Sequence, residues 1–573
     1  MPRSRDRQLV FPVKPSRQPS QGRTAAAVET PAVLSPALLL RYGARVLDPA
    51  VATQPGATRR GRDNDRRGEA DRTRRMVYGT TTYVSDELLV SASKQPDIVL
   101  RLVDRFNEVL GSPSDADAPA VRVTPVRVDL ELARRRAGTE SPAAVRLWLE
   151  STADDSTRPP DGWEVVQRLR DRVPPEIEVG LNHLMSATDI GGVGFSMGHG
   201  FSMGHGFSMG HGFSMGHSVG TAEYGVPGLG GRSPISWLGR PPHRTTMDRR
   251  PVVAILDTGV ADHPWFGFGE PDPVVERWHY DAGSGQFQQD DVAGSENQPD
   301  LIDPLEGLLD PFFGHGTFIA GLIHQTCPDA KIVSVKLMGP DGVVDEAALL
   351  NGLGFLHQRQ REAMRAGPDA ADQLIDIVSL SMGYYHESDL SGQAYDTQLR
   401  RAVEDLGDVG ILVVAAAGNN ATSRPMLPAA FTPFRAGTLT GNGSAIPMLS
   451  VGALNPDGSV ALFSNDGDWI SCHGPGAALV STLPKVDVGQ RAGVDLGVGP
   501  LADRPVASWR ASIDPDSFTG FGTWSGTSFA APVVAGAAAQ GMLDRGDLGD
   551  PTADRVAAAR EVLRALGFAM DSP

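Results

Sequence analysis

Residues 252–259 read Val252-Val253-Ala254-Ile255-Leu256-Asp257-Thr258-Gly259. Apolar residues in unbroken succession end in one carboxylate, and a turn glycine follows. A run of this kind fits a strand buried on both faces, as in a parallel sheet covered by helices. Comparable runs at 331–337, 375–380, 411–416 and 448–451 alternate with helical stretches. That alternation predicts an α/β domain over residues 250–573, built on a doubly wound, mainly parallel sheet. The carboxyl ends of such strands face the functional crevice, which is where Asp257 would stand. Taken alone, a carboxylate after a strand is more often a turn or helix-cap residue.

Upstream, residues 76–190 predict a small α+β domain. Residues 83–91 alternate like a strand, and 97–110 carry Ile98, Val99, Leu102, Val103, Phe106, Val109 and Leu110 at helical spacing. Residues 121–132 and 144–149 read as strands, 163–173 as a helix and 176–184 as a last strand. Strand, helix, strand, strand, helix, strand is the order of a split βαβ fold. Residues 1–75 hold 16 Lys and Arg against 7 Asp and Glu and lack periodicity, so a disordered basic segment is expected. Residues 191–249 form a linker containing a Gly-Phe-Ser-Met-Gly-His repeat with His199, His205, His211 and His217 at equal steps. Evenly spaced histidines suggest a metal tract. Two glycines in every repeat resist fixed geometry, which favours a flexible tether and no metal site.

The net charge is −17 although the head is basic, so the body is strongly acidic. Phosphates would be repelled, and nucleic acid is not an expected partner. Two cysteines, Cys327 and Cys472, define no disulfide framework. No apolar core of signal-peptide or membrane-span length is present. A cytoplasmic protein without membrane association is therefore expected, with export by an unrecognised route as the alternative.

Two further segments matter beside Asp257. Gly314-His315-Gly316-Thr317-Phe318-Ile319-Ala320-Gly321 places a histidine at the start of a helix of small residues. Gly526-Thr527-Ser528-Phe529-Ala530-Ala531-Pro532 places a serine at another helix start, where backbone N–H groups favour negative charge. Pro532 is expected within about the first turn of that helix, where a missing N–H costs little. Alone, such a histidine is usually structural and such a serine an N-cap. In the order Asp257-Thr258-Gly259, His315-Gly316-Thr317, Gly526-Thr527-Ser528, however, they resemble the subtilisin-like serine protease (subtilase) family. Ala415-Ala416-Ala417-Gly418-Asn419 and Ser379-Leu380-Ser381-Met382-Gly383 are similar to two more of its segments, and the likeness covers roughly 250–545.

The resemblance implies an endopeptidase with Asp257, His315 and Ser528 as catalytic residues and Asn419 in the oxyanion hole. It implies that extended peptide binds along Ser381, Met382 and Gly383, with the P1 side chain against Ala415, Ala416, Ala417 and Gly418. Those alanines imply broad specificity with apolar P1 residues. The 76–190 domain resembles a prosegment in position and element order, which implies a self-processed precursor restrained by its own N-terminal domain, with a tail near 182–188. Protein or peptide substrates are the implied partners. No cofactor is expected; structural calcium is compatible with the family but falls on no identifiable residues. The acidic stretch 290–310 lengthens the Asp-to-His interval and reads as a rim loop or a solvated insertion. The competing reading is a restrained or inactive subtilisin-like protein with a regulatory or binding role.

Overall fold

The computed structural model describes residues 14–15, 34–47, 80–91, 96–111, 121–136, 144–152, 159–170, 178–187, 231–281, 283–299, 301–303, 308–387, 397–432, 434–435, 438–439, 446–487, 513, 517–546, 548 and 554–570. The His-containing repeat lies outside the described residues.

The alternating stretch in the N-terminal region forms β1 (Thr81–Ser91), and the helically spaced residues form α1 (Pro96–Leu110). After them come β2 (Val121–Pro125), α2 (Arg127–Arg136), β3 (Ala144–Ser151), α3 (Gly162–Arg170) and β4 (Val179–Ala187). The strands lie in the order β4-β1-β3-β2, all antiparallel, and α1 buries Val99, Val103, Phe106, Val109 and Leu110 against them. This is a split βαβ arrangement with one extra helix.

That helix corrects the strand expected over 121–132. The strand stops at Pro125, and Val126, Leu130 and Ala133 then repeat at helical spacing and are buried. Asp129 is also buried, receiving Arg146 Nε at 2.8 Å. A mixed run of Val and Leu satisfies both periods, and burial of this ion pair together with the apolar stripe favours the helix. A second correction concerns the head. Pro36–Arg41 is a helix, and Ala44–Leu47 pairs antiparallel with β1. Ser35 caps that helix by accepting from Leu38 N at 3.3 Å. Short elements of this length leave little periodic signal.

The larger domain starts earlier than residue 250. Ser233–Pro234 pairs with a hairpin strand, and Trp237 stacks on Phe521 at 5.5 Å. Its sheet runs β13 (Cys472–Pro475), β12 (Leu449–Leu454), β11 (Leu412–Ala416), β9 (Ile377–Leu380), β5 (Val252–Asp257), β7 (Lys331–Lys336), β6 (Val275–Asp281). All these neighbours are parallel, and short antiparallel strands, Lys14–Pro15 and Gln286–Gln289, close the two edges. The continuous apolar reading of β5 has a direct cause. Val253 and Ile255 pack beneath α4 (His315–Thr326) and α7 (Thr527–Arg545). Val252, Ala254 and Leu256 pack beneath α5 (Glu346–Ala366) and α6 (Thr397–Asp408) on the other face. Each fully buried Val, Leu or Ile contributes roughly 1.5–3 kcal/mol.

Asp376 ties the amino ends of these strands together. It accepts Arg249 Nη2 at 2.9 Å, Arg555 Nη2 at 2.7 Å and Val252 N at 2.8 Å. A buried carboxylate with three such donors is compensated, and removing the carboxylate would leave two arginines without the anion they share.

Two histidines carry a pH-dependence. Burial beside Trp265 and Phe521 pushes His263 down to about 4, and burial with Arg244 nearby pushes His324 down to about 4. Both stay neutral when folded, while an unfolded histidine protonates near 6.5. The unfolded chain therefore binds more protons between about pH 6.5 and pH 4. Stability is complete above 6.5 and falls as pH drops through this window, by about 3 kcal/mol at most for each residue. Thermal unfolding of the Ser528→Ala protein at pH 7 and pH 5 tests this. His324→Gln should flatten the slope, and an unchanged slope would remove His324 as its source.

Candidate active site

β5 delivers Asp257 at its carboxyl end, and α4 begins with His315. His315 Nδ1 lies 2.7 Å from Asp257 Oδ1, with both residues buried. The same oxygen accepts Thr258 N at 2.8 Å. Helix and strand can come this close because two residues lack side chains. A Cβ on Gly316 would stand 2.2 Å from Gly259 O, a backbone atom that cannot step aside. Gly259 itself has φ +102°, outside the range open to L side chains.

Ser528 is the second residue of α7. Its Oγ donates to Ser381 O at 3.1 Å, and its own carbonyl accepts Ser381 Oγ at 2.8 Å. The second contact explains Pro532. The proline is the sixth residue of α7, deeper than expected, and has no N–H to offer the carbonyl four residues back. That carbonyl belongs to Ser528, and the Ser381 hydroxyl takes it instead. The serine is thus clamped to the strand end that carries residues 381–383. Phe529 bridges back to the histidine, with ring centroids 5.2 Å apart, and Trp524 stands edge-on to the same imidazole at 5.8 Å.

Asn419 follows β11 across the cleft. Its Oδ1 accepts Thr527 N at 2.9 Å, which fixes the amide, while Nδ2 has no hydrogen-bond partner among the described residues. A buried donor left unpaired beside a helix N-terminus is suited to a developing negative charge. Ala415, Ala416, Ala417 and Gly418 are fully buried along one wall, and Thr527 Oγ1 accepts Gly418 N at 3.0 Å. Met382–Gly383 forms β10, a short strand on the opposite wall. Asp257 and His315 are thus in direct contact, and Ser528, Ser381, Asn419 and Gly418 are joined to one another around the start of α7.

A Subtilase family model matches residues 248–552, more than half of the chain. The chain belongs to the subtilase family. Serine protease AprX of Bacillus subtilis (strain 168) is 26% identical over 53% of this chain and 60% of its own. The major intracellular serine protease of the same organism is 26% identical over 36% of this chain and 58% of its own. Thermitase of Thermoactinomyces vulgaris is 25% identical over 44% and 88%. This subtilase thus spans about three-fifths of the length of the first two relatives.

One supporting residue has no signal in the sequence. Glu296 lies in the acidic stretch 290–310, expected to be a rim loop or a solvated insertion. Asp291 is exposed, but Glu296 turns inward and is buried beneath the site. Its Oε1 accepts Thr258 Oγ1 and Gly314 N, and its Oε2 accepts Thr317 N and Thr317 Oγ1. One carboxylate thereby joins the turn after Asp257 to the first turn of the His315 helix. Burial pushes the Glu296 pKa up, and the two threonine hydroxyls pull against that. Glu296→Ala would strand four donors, each costing ~1–3 kcal/mol if left unpaired. A loss on the order of 3 kcal/mol or more is expected, measured as thermal unfolding in the Ser528→Ala background to prevent self-digestion. A change below about 1 kcal/mol would mean that water replaces the carboxylate at no cost.

The described residues also place β4 in the crevice. Met382 pairs with Ala187 and Gly383 with Ser186, antiparallel. On its other edge β4 pairs with β8 (Val343–Asp345), and Ala187 N donates to Gly342 O at 2.8 Å. The last strand of the small domain therefore lies between two strands of the large one. Among the described residues no helix is long and apolar enough to cross a membrane.

Proposed function

We propose that this subtilase is a serine endopeptidase that works through Asp257, His315 and Ser528, and that its small N-terminal domain is its prosegment. The carrying observation is the 2.7 Å contact between His315 Nδ1 and buried Asp257, at a crevice where the α7 start presents Ser528. A serine hydroxyl is a weak nucleophile until a base takes its proton. In this mechanism Ser528 Oγ bonds to the substrate carbonyl carbon and its proton passes to His315 Nε2. Asp257 holds Nδ1–H and stabilises the imidazolium. The oxyanion is received by Asn419 Nδ2 and the Ser528 backbone N–H. His315 then returns the proton to the departing amine nitrogen as the C–N bond breaks. Water repeats the sequence to release the acyl group and free Ser528. Labelling of Ser528 by a fluorophosphonate probe, with cleavage of a peptide library, tests the reading; a folded protein that does neither overturns it.

Extended substrate would add as a strand along Met382–Gly383, as β4 does. Its P1 side chain would face the wall of Ala415–Gly418, which offers neither charge nor bulk. Library cleavage led by large apolar P1 residues is expected, with a broad profile because one methylene changes binding by only ~1–3 kcal/mol. Strict cleavage after Arg or Lys would contradict this.

The prosegment reading is supported by the position of β4. Its residue Ala187 pairs with Met382, and Ser381, the residue before Met382, is bonded to Ser528. The Thr188–Asp189 bond is therefore the bond we expect the enzyme to cut in its own chain.

A further inference from the structure

We propose that Glu346 and Glu387 form an acidic subsite for a basic residue five positions before the residue that supplies the cleaved carbonyl. The inference rests on the endopeptidase reading and on Thr188 as the residue at the cut. Counting back from Thr188 along β4, that position is His183.

The side chain of His183 is buried between the two domains. Its Nδ1 is 2.6 Å from Glu346 Oε2 and its Nε2 is 2.9 Å from Glu387 Oε2. Tyr384 stacks on the ring at 4.5 Å. Glu346 opens α5 immediately after β8, and the register of β8 with β4 runs straight into it: Asp345 pairs with Leu184, so Glu346 comes next to His183. Glu387 follows β10 on the other wall. Each carboxylate thus extends one of the two strands that grip the peptide backbone, on either side of the same side chain.

The charge count decides what the pocket accepts. Both ring nitrogens face carboxylate oxygens, so both must donate, which makes His183 an imidazolium. Burial works against its charge, but the two hydrogen-bonded carboxylates outweigh that and push its pKa up to about 10. When β4 leaves, the imidazolium leaves with it, and the two carboxylates lose the cation that lies between them. Losing a cation from a buried carboxylate pair is costly, and a basic side chain on an incoming strand restores it. A neutral side chain does not, and an acidic one adds repulsion. His386 Nε2 lies 3.5 Å from Glu387 Oε2, and with His183 it completes a group whose ligand atoms all lie within 4.8 Å of one another. A metal there would need a lone pair on His183, which a ring donating from both nitrogens does not have.

The full-length wild-type protein, after incubation to complete self-processing, would be assayed on eight-residue peptides identical except for Lys, His, Gln or Glu at the sixth position before the cut. Lys and His should exceed Gln about tenfold in kcat/KM, with Glu below Gln, and the spread should narrow at high salt. Glu346→Gln and Glu387→Gln should each bring the Lys-to-Gln ratio towards one. If all four peptides are cleaved at equal rates, the subsite is refuted while the protease reading stands. If none is cleaved while the folded protein also resists the fluorophosphonate probe, both fail together. A preference that appears only with added zinc and disappears with EDTA would replace the cation subsite with a metal site.

Discussion

Ser528→Ala and His315→Ala are each expected to remove nearly all turnover, by a factor on the order of 10⁶, with the double variant little worse than either. That size is carried over from the triad of subtilisin, a member of the same family. The non-additivity follows from the proposed mechanism. His315 has a catalytic task only if Ser528 has a proton to give, and Ser528 is activated only if His315 is aligned by Asp257 at 2.7 Å. Asn419→Ala is different, because the amide acts on the oxyanion and not on the proton. It should cost on the order of 10²–10³, again the size of the subtilisin case. Steady-state peptide cleavage on freshly purified variants measures all of these. More than about a hundredth of wild-type turnover in Ser528→Ala, with contaminating proteases excluded, would overturn the assignment.

The residues that make up the crevice are legible because each sits in a contiguous motif with a local physical cause. Asp257 ends an apolar strand, and His315 and Ser528 begin helices whose small residues permit close approach. Gly316 shows how strict that cause is, since a single methyl would meet the backbone of Gly259. What is illegible depends on tertiary contact. Glu296 stands alone in an acidic stretch, and only the folded chain shows its four donors from Thr258, Gly314 and Thr317. The role of Pro532 emerges only once Ser381 is seen to take up the carbonyl it leaves open. α2 reads as a continuation of β2 because Val126, Leu130 and Leu132 do not fix one period, and the choice falls to Asp129 meeting Arg146 of β3. His183, Glu346 and Glu387 are far apart in the chain and become one group only through the register of β4.

The wild-type chain is expected to divide itself after Thr188, and the Ser528→Ala chain to stay whole. β4 is held on both edges, by Met382–Gly383 and by Val343–Asp345, in the place a substrate strand would occupy. Further contacts fasten the same domain. Asp341 accepts Arg41 Nη1 at 2.9 Å and the Tyr42 hydroxyl at 2.9 Å, and Asn182 Oδ1 accepts Ala347 N at 3.3 Å. An intramolecular strand faces no loss of translational freedom on docking, so cleavage at this bond should precede cleavage of any added peptide. Once cut, the tail is expected to stay paired and to act as a product inhibitor, so processing and full activity should be separable in time. Intact-mass measurement and N-terminal sequencing of the larger fragment test the position: Asp189 should be its first residue. Arg41 and Tyr42 distinguish docking from cleavage. Substituting Asp341 with Asn should loosen the domain after the cut and shorten the lag before added peptide is hydrolysed, without moving the cut itself. A wild-type protein that is fully active with its N-terminal region intact would refute self-processing, and β4 would then be a permanent wall of the crevice.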